Sequence, residues 1–377
     1  MFFIWVFMNF SGITPRSSEY RMPPEWAPHV RTWMLWPCRE EIWPNGINAA
    51  RRAYAALART ISCFESVFVM AKPENVAEAK ALCGEAVKVV SFHIDDSWSR
   101  DTGATFLVNN NLGRVAVSWL FNGYGEKFRP YDQDNRVAEE MARISAIPCF
   151  SAPFVMEGGS FHVDGEGTAL VTEQSVLNGN RNSHVTKKEF TEVCRECLGV
   201  EKVIFLPYGL SSDLDTDGHV DNVASFTKPG EVALLWTEDC GDSHYPEIKE
   251  NHRALQMERD AHGRRINIVK IPQPKERYRP ENAAQRLPDS TLQYVLVNGG
   301  LIYPTFGDPV ADQQTGQILG KIFPDRRIVP LDGRDIVLGG GGFHCITQQE
   351  PASLPVRGGM ERNRVFRRFF VIPNPRS

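Results

Sequence analysis

The sequence predicts an α/β protein built from about five strand-rich units interspersed with helices. Three observations carry this. An apolar strand, a short cluster of Gly and acidic or polar residues, and a second apolar strand recur along the chain. Amphipathic stretches at helical spacing separate several of these clusters. No Ser/Gly/Pro-rich linker divides the 377 residues, and no segment is of low complexity. Related units commonly stack or close around an axis. In a closed array, polar clusters at corresponding strand ends converge on one central site.

The first unit has a strand at 87–90, a polar run over 95–103 and a strand at 104–108. The second has a strand ending at Met156, then Glu157-Gly158-Gly159, then a strand over 160–163. In the third, acidic residues at 213–218 lead into a strand over 219–226. The fourth has strands at 294–297 and 301–303 around Asn298-Gly299-Gly300. The fifth has a strand at 336–338, glycines at 339–342 and a strand over 343–347. Residues 49–63, 135–144, 187–198 and 246–260 read as helices.

Composition narrows the class. The chain is 42% hydrophobic and 23% charged, as ordinary soluble globular proteins are. Asp and Glu number 46 against 42 Lys and Arg, so no overall positive field draws the chain to nucleic acid. Eight cysteines in a chain this long suit a reducing compartment better than a disulfide scaffold. Cys194 and Cys197 form a single CxxC inside a helical run, a weak zinc signal. The apolar opening, Met1 to Met8, is too short to span a bilayer and lacks a positively charged flank. A soluble cytoplasmic protein with no membrane contact is expected. The C-terminal end is basic, with Arg357, Arg362, Arg364, Arg367, Arg368 and Arg376, and holds an apolar run at 369–372 with the character of an edge strand.

The recurring clusters gather the groups that could do chemistry: Asp101, Glu157, Asp217, Asp221, His219 and Cys345. A cysteine needs a base or a cation beside it to become a thiolate. Histidine moves protons near neutral pH. Carboxylates grip a planar cation through parallel charge-assisted hydrogen bonds. A thiol, a histidine and several carboxylates suit attack on a guanidinium carbon. Amide hydrolysis calls instead for oxyanion donors and fewer acids. Each residue also has a plain structural use. Cys345 after its glycines suits a buried thiol, His219 a turn bridge, Asp101 an ion pair with Arg100, Glu157 a turn carboxylate and Trp98 the core. Two patterns mislead. Residues 213–218 imitate a calcium loop, but its twelfth position is Ala224 where Glu is required. Residues 339–342 are glycine-rich but lack the Lys-Ser/Thr of a phosphate loop.

Taken in order, several segments resemble agmatine deiminase, within the guanidino-group-modifying (pentein) superfamily that also holds bacterial-type peptidylarginine deiminases. They are Met22-Pro23-Pro24-Glu25-Trp26, Thr32-Trp33-Met34-Leu35-Trp36-Pro37, Asp96-Ser97-Trp98-Ser99-Arg100-Asp101, the run from Glu157 to Thr168, Asn178-Gly179-Asn180-Arg181-Asn182, the run from Asp215 to Asn222, and His344-Cys345-Ile346-Thr347. The resemblance covers residues 21–351 and implies a single catalytic domain, a fivefold pseudosymmetric α/β propeller of ββαβ-type units. Residues 1–20 then form an N-terminal extension and 352–377 a basic tail.

It also implies roles. Cys345 falls on the nucleophile, His219 on the general acid/base, and Asp101 and Asp221 on the carboxylates that hold the guanidinium. Glu157 falls on an acid that orients His219 or the substrate. Trp98 falls beside the bound chain. Read from the residues alone, Asp213, Asp215 and Asp217 suit either a distal cation or, more commonly, solvated loop acids. The chain departs from the family pattern at Ala104 (commonly Pro), Gly342-Phe343 (commonly Asn-Ile), Tyr124 (commonly Trp) and Gln174-Ser175 (commonly Glu-Cys). The implied reaction hydrolyses agmatine to N-carbamoylputrescine and ammonia through a cysteine thiouronium, with no metal or organic cofactor. A peptidyl-arginine or free-arginine deiminase, an amidino transferase and a non-catalytic guanidine-binding scaffold are the alternatives. A homo-oligomer is compatible with the sequence.

Overall fold

The structure, a computed structural model, describes residues 14–353. The apolar opening and the basic tail with its expected edge strand lie outside them. Five sheets repeat one plan. In chain order, the strands are β1 (His29–Leu35), β2 (Ser66–Ala71) and β3 (Val87–Ser91); β4 (Thr105–Val108), β5 (Arg114–Leu120) and β6 (Cys149–Val155); β7 (Phe161–Val163), β8 (Thr168–Thr172) and β9 (Lys202–Leu206); β10 (Ala224–Lys228), β11 (Glu231–Trp236) and β12 (Asn267–Pro272). A small hairpin of β13 (Tyr278–Arg279) and β14 (Asn282–Arg286) precedes β15 (Val295–Val297), β16 (Gly300–Thr305) and β17 (Arg327–Asp332). The last strand, β18 (Gln348–Pro351), returns to the first sheet.

Within each of the four later units the first two strands pair antiparallel and the second and third pair parallel. A parallel pair needs a crossover, and a helix supplies it each time. These helices are Val137–Ile144, Lys187–Leu198, Tyr245–Met257 and Pro309–Ile322. In the first sheet β18 takes the antiparallel place beside β1, and the helix Ile47–Ser62 joins β1 to its parallel partner β2. The two ends of the described chain thus close the ring. Buried Glu350 fastens the seam: it accepts from Trp33 Nε1 at 2.9 Å and Ser145 Oγ at 2.8 Å, and pairs with Arg31 at 3.1 Å and with Arg114.

Local sequence explains the elements. Ala50, Tyr54, Leu57, Ala58 and Ile61 fall on one face of the helix Ile47–Ser62 and are buried. Thr186 and Glu189 form a capping box at the start of Lys187–Leu198, and Gly199 ends that helix in a left-handed conformation. The middle strands β8 and β11 are buried along their whole length because helices and neighbouring sheets cover both faces. Cys194 and Cys197 are buried core thiols of the same helix, pushed up by burial. No group of three or more His, Cys, Asp or Glu among the described residues could hold a metal ion. No helix among them is long and apolar enough to cross a membrane.

Two segments differ from the reading by pattern. Residues 298–300 are the hairpin turn between β15 and β16, with Gly299 at φ 75°, and not a junction facing the centre. Asn298 braces His29 there. Residues 336–338 form the end of a helical turn, and 343–347 a further turn before β18 begins. Residues 14–20, expected as an extension, pack on the core: Thr14 Oγ1 donates to Glu196 Oε2 at 2.8 Å.

Candidate active site

Each unit enters its first strand through a short polar junction, and the five junctions meet. The turn Ser99–Thr102 before β4 carries Asp101, and Gly158–Ser160 before β7 follows Glu157. The turn Val220–Asn222 before β10 carries Asp221 and follows His219. Residues 287–294 before β15 carry Gln293, and residues 343–347 before β18 carry Cys345. All of these side chains are buried.

The junctions touch one another directly. Gly159 N–H donates to Asp101 Oδ1 at 2.9 Å. Arg100 N–H donates to Cys345 O at 3.0 Å. Gln293 Nε2 donates to Asn222 Oδ1 at 2.9 Å, and its Oε1 lies 3.3 Å from Cys345 N and 3.2 Å from Cys345 Sγ. Gly159 permits the convergence: a Cβ there would stand 2.6 Å from His219 Nδ1 and 2.9 Å from carboxylate oxygens of both Asp101 and Asp221. Gly342 makes room for Gln293 in the same way, since its Cβ would fall 2.6 Å from the Gln293 side chain.

Cys345 Sγ lies 3.6 Å from Asp221 Oδ2. Burial first, then the carboxylates of Asp221 and Asp101, pushes the thiol well above its ordinary range, so the unliganded site holds it protonated. His219 stands between two acids, 3.7 Å from Asp101 Oδ1 and 3.8 Å from Glu157 Oε2, and neither ring nitrogen has a hydrogen-bond partner among the described residues. Burial opposes its charged form, but Asp101, Glu157 and Asp221 prevail and raise it to about 9. The imidazole is therefore charged at neutral pH.

The carboxylates are prepared differently. Burial raises Asp101 to about 6, against the pull of His219. Tyr124 O–H donates to its Oδ2 at 2.9 Å. Tyr124 sits in a run of left-handed residues, Gly123 to Glu126, that aims the phenol inward. Burial would also raise Asp221, but His344 at 2.9 Å from its Oδ2 holds it below the usual range. Asp221 Oδ1 is buried with no partner among the described residues. Glu157 Oε1 is fixed by Arg181 Nε at 2.7 Å.

Of the residues expected from sequence, Cys345, His219, Asp101, Asp221 and Glu157 come together. Trp98 lines the cavity with Asp101, Tyr124, Phe128, Asp215 and Cys345, and stacks on Trp43 at 6.0 Å. Arg100 does not pair with Asp101; its guanidinium reaches Glu25 at 3.3 Å. Asp217 is not among the cavity-lining residues. Lys127 at 2.7 Å, Asn180 Nδ2 at 2.9 Å and Arg181 occupy its carboxylate. Asp215 lines the cavity in its stead, and Asp213 caps the His219 turn from behind, accepting from Thr216, His219 N and Asn222. Pattern reading missed Gln293 and Tyr124 as site residues. Gln293 sits in a junction with no glycine or acid beside it. The signal for Tyr124 was present in the flanking Gly123 and Gly125, which permit the left-handed turn.

Five ββαβ units whose polar junctions meet at one centre define the pentein class of α/β proteins. The profile of the Porphyromonas-type peptidyl-arginine deiminase family matches residues 21–351. An agmatine deiminase of Stutzerimonas stutzeri is 41% identical over 360 residues, covering 90% of this chain and 97% of the relative. The structure of the agmatine deiminase of Enterococcus faecalis superposes with a TM-score of 0.88 at 32% identity, over 91% of this chain and 99% of that one. That of a Cys-to-Ser variant of the C. jejuni agmatine deiminase, with substrate bound, gives 0.80 at 27% identity over 89% and 97%. The chain belongs to the Porphyromonas-type peptidyl-arginine deiminase family.

Proposed function

We propose that the protein hydrolyses agmatine to N-carbamoylputrescine and ammonia. One observation supports it above the rest: a buried thiol, a histidine between two acids and two differently prepared carboxylates share one centre, and Asp221 Oδ1 has no partner among the described residues. A planar cation supplies the missing partner. Relatives named as agmatine deiminases at 41% identity favour the same substrate.

The chemistry follows from the groups. Asp221 Oδ1 and Asp101 accept hydrogen bonds from the guanidinium and fix its plane. The incoming positive charge offsets the two carboxylates that hold the Cys345 thiol protonated, and the thiol gives up its proton to solvent. The thiolate forms a C–S bond to the guanidinium carbon. His219, already charged, gives its proton to the departing nitrogen, and ammonia leaves as the C–N bond breaks. Neutral His219 then takes a proton from water as that water attacks the thiouronium carbon. The C–S bond breaks, the remaining hydroxyl proton passes to the departing sulfur and restores the thiol, and the ureido product forms. Glu157, held by Arg181, keeps the imidazole aimed. Trp98 and Phe128 flank the methylene chain, and Asp215 near the mouth receives the distal ammonium.

The test is to incubate the purified protein separately with agmatine, free arginine and a blocked arginine peptide, and to measure ammonia and ureido product. Turnover of agmatine alone is expected. Preference for the peptide keeps the chemistry and overturns the substrate. Product without ureido formation in the presence of an amine acceptor identifies transfer, and no release from any substrate refutes the enzyme.

A further inference from the structure

Two buried residues remain without work in this mechanism: Glu25 of Met22-Pro23-Pro24-Glu25-Trp26, and His344 beside the proposed nucleophile. The structure joins them. His344 Nδ1 lies 2.9 Å from Asp221 Oδ2, and its Nε2 lies 2.8 Å from Glu25 Oε1. A ring with a carboxylate on each nitrogen donates from both, and is therefore an imidazolium. All three side chains are buried. We infer that Glu25 and His344 form a fixed charge relay that positions Asp221 for the guanidinium: Glu25 holds the imidazolium, the imidazolium occupies Asp221 Oδ2, and Oδ1 is left aimed at the substrate.

The surroundings support this. Glu25 also meets Arg100 at 3.3 Å and faces His162 Nε2 at 3.6 Å. His162 accepts from Phe226 N–H through Nδ1 at 3.2 Å. Against Asp221 stand His344, His219, Arg100 and the Cys345 thiol, with Asp101 nearby. Among these cations only His344 touches it directly. In a site closed to water, an uncompensated carboxylate takes up a proton instead of staying charged. His344 is raised and Glu25 is held well below the usual carboxylate range, each opposing its burial through the other. Both are positioning residues. The relay reaches across three segments distant in sequence, so the N-terminal motif acts on the chemistry from outside the cavity.

The inference rests on the deiminase reading, and its test separates the two. Calorimetry would follow agmatine binding from pH 5 to 9 in Cys345→Ser protein, with and without a second substitution. Glu25→Gln is expected to carry Asp221 past Asp101 as the group that sets the acid limb, moving that limb from near pH 6 to about pH 8 and weakening binding about tenfold at pH 7. Glu25→Asp is expected to restore most of both. The combined Glu25→Gln/His344→Gln variant removes one charge of each sign. It keeps the cluster balanced for folding, checked by thermal melting, and is expected to show the same loss. If the parent protein ignores agmatine, the substrate reading falls, and methylguanidinium serves as probe because Asp221 binds it whatever the tail. Unchanged affinity and acid limb in the folded variants, with either probe, overturn the relay.

Discussion

Replacing Asp221 by Asn should abolish turnover and at the same time make Cys345 more reactive. The reasoning is electrostatic. Asp221 Oδ2 stands 3.6 Å from Cys345 Sγ in a buried site. A charge at that distance, with an effective dielectric of about 20, costs the ionised sulfur about 4 kcal/mol. That corresponds to about 3 pKa units on the thiol. Asn fills the same space without the charge. The thiolate therefore forms at lower pH, and the thiolate is the species that alkylates. Carbamidomethylation by iodoacetamide at pH 7.5 should speed up about 100-fold or more. Cys63, Cys149 and Cys240 are exposed and react too, so the rate is read at the Cys345 peptide by mass spectrometry. An unchanged or slower Cys345 rate in folded Asp221→Asn would refute the view that the empty site suppresses its own nucleophile.

Further outcomes follow from the same geometry. Tyr124→Phe removes the O–H that Asp101 Oδ2 accepts; a hydrogen bond to a charged group contributes about 1.5–3 kcal/mol, so kcat/KM for agmatine should fall roughly ten- to a hundredfold. In the free protein, kcat/KM should fall below about pH 6, where Asp101 protonates, and above about pH 9, where His219 loses the proton that ammonia needs. The raised His219 also adds stability that is complete below about pH 6.5 and is lost as pH rises through about 9, visible as a falling melting temperature in alkali. Glu350→Ala breaks the seam between β18, β1 and β5 and leaves two arginines without their buried partner; a loss of about 3–5 kcal/mol is expected in urea unfolding.

The fold was legible where repetition left a local mark. Glycines and acids before β4, β7 and β10 announced three junctions, because a turn toward the centre needs small residues and the centre needs charge. The fourth junction carries neither glycine nor acid next to Gln293, so pattern reading moved it to Asn298-Gly299, a hairpin turn of similar composition. Residues 336–338 read as a strand because three apolar residues in a row carry no period. Closure of the ring by β18 is a contact between ends over 300 residues apart, and no local signal encodes it. Within the site, Cys345, His219, Asp101 and Asp221 were legible as residue types. The division of labour among the acids was not. Asp217 and Asp215 differ by two positions, yet one is consumed by Lys127, Asn180 and Arg181 while the other lines the cavity. That choice depends on side chains brought in from other units.

The charge balance of the site also bears on how it releases its product. In the proposed reaction agmatine brings a guanidinium cation to Asp101 and Asp221 and leaves as a neutral ureido group. The carboxylates proposed to grip the substrate would then face a group with no charge, while the distal ammonium proposed to lie near Asp215 would be unchanged. Two charge-assisted contacts become ordinary ones, a loss of about 1–2 kcal/mol each. N-carbamoylputrescine should therefore bind Cys345→Ser protein at least about tenfold more weakly than agmatine does. Calorimetry on that variant compares the two without turnover. Equal affinities would mean that the tail, and not the guanidinium, supplies the binding energy. The assignment of Asp101 and Asp221 as the guanidinium clamp would then fail, even with Cys345 intact as nucleophile.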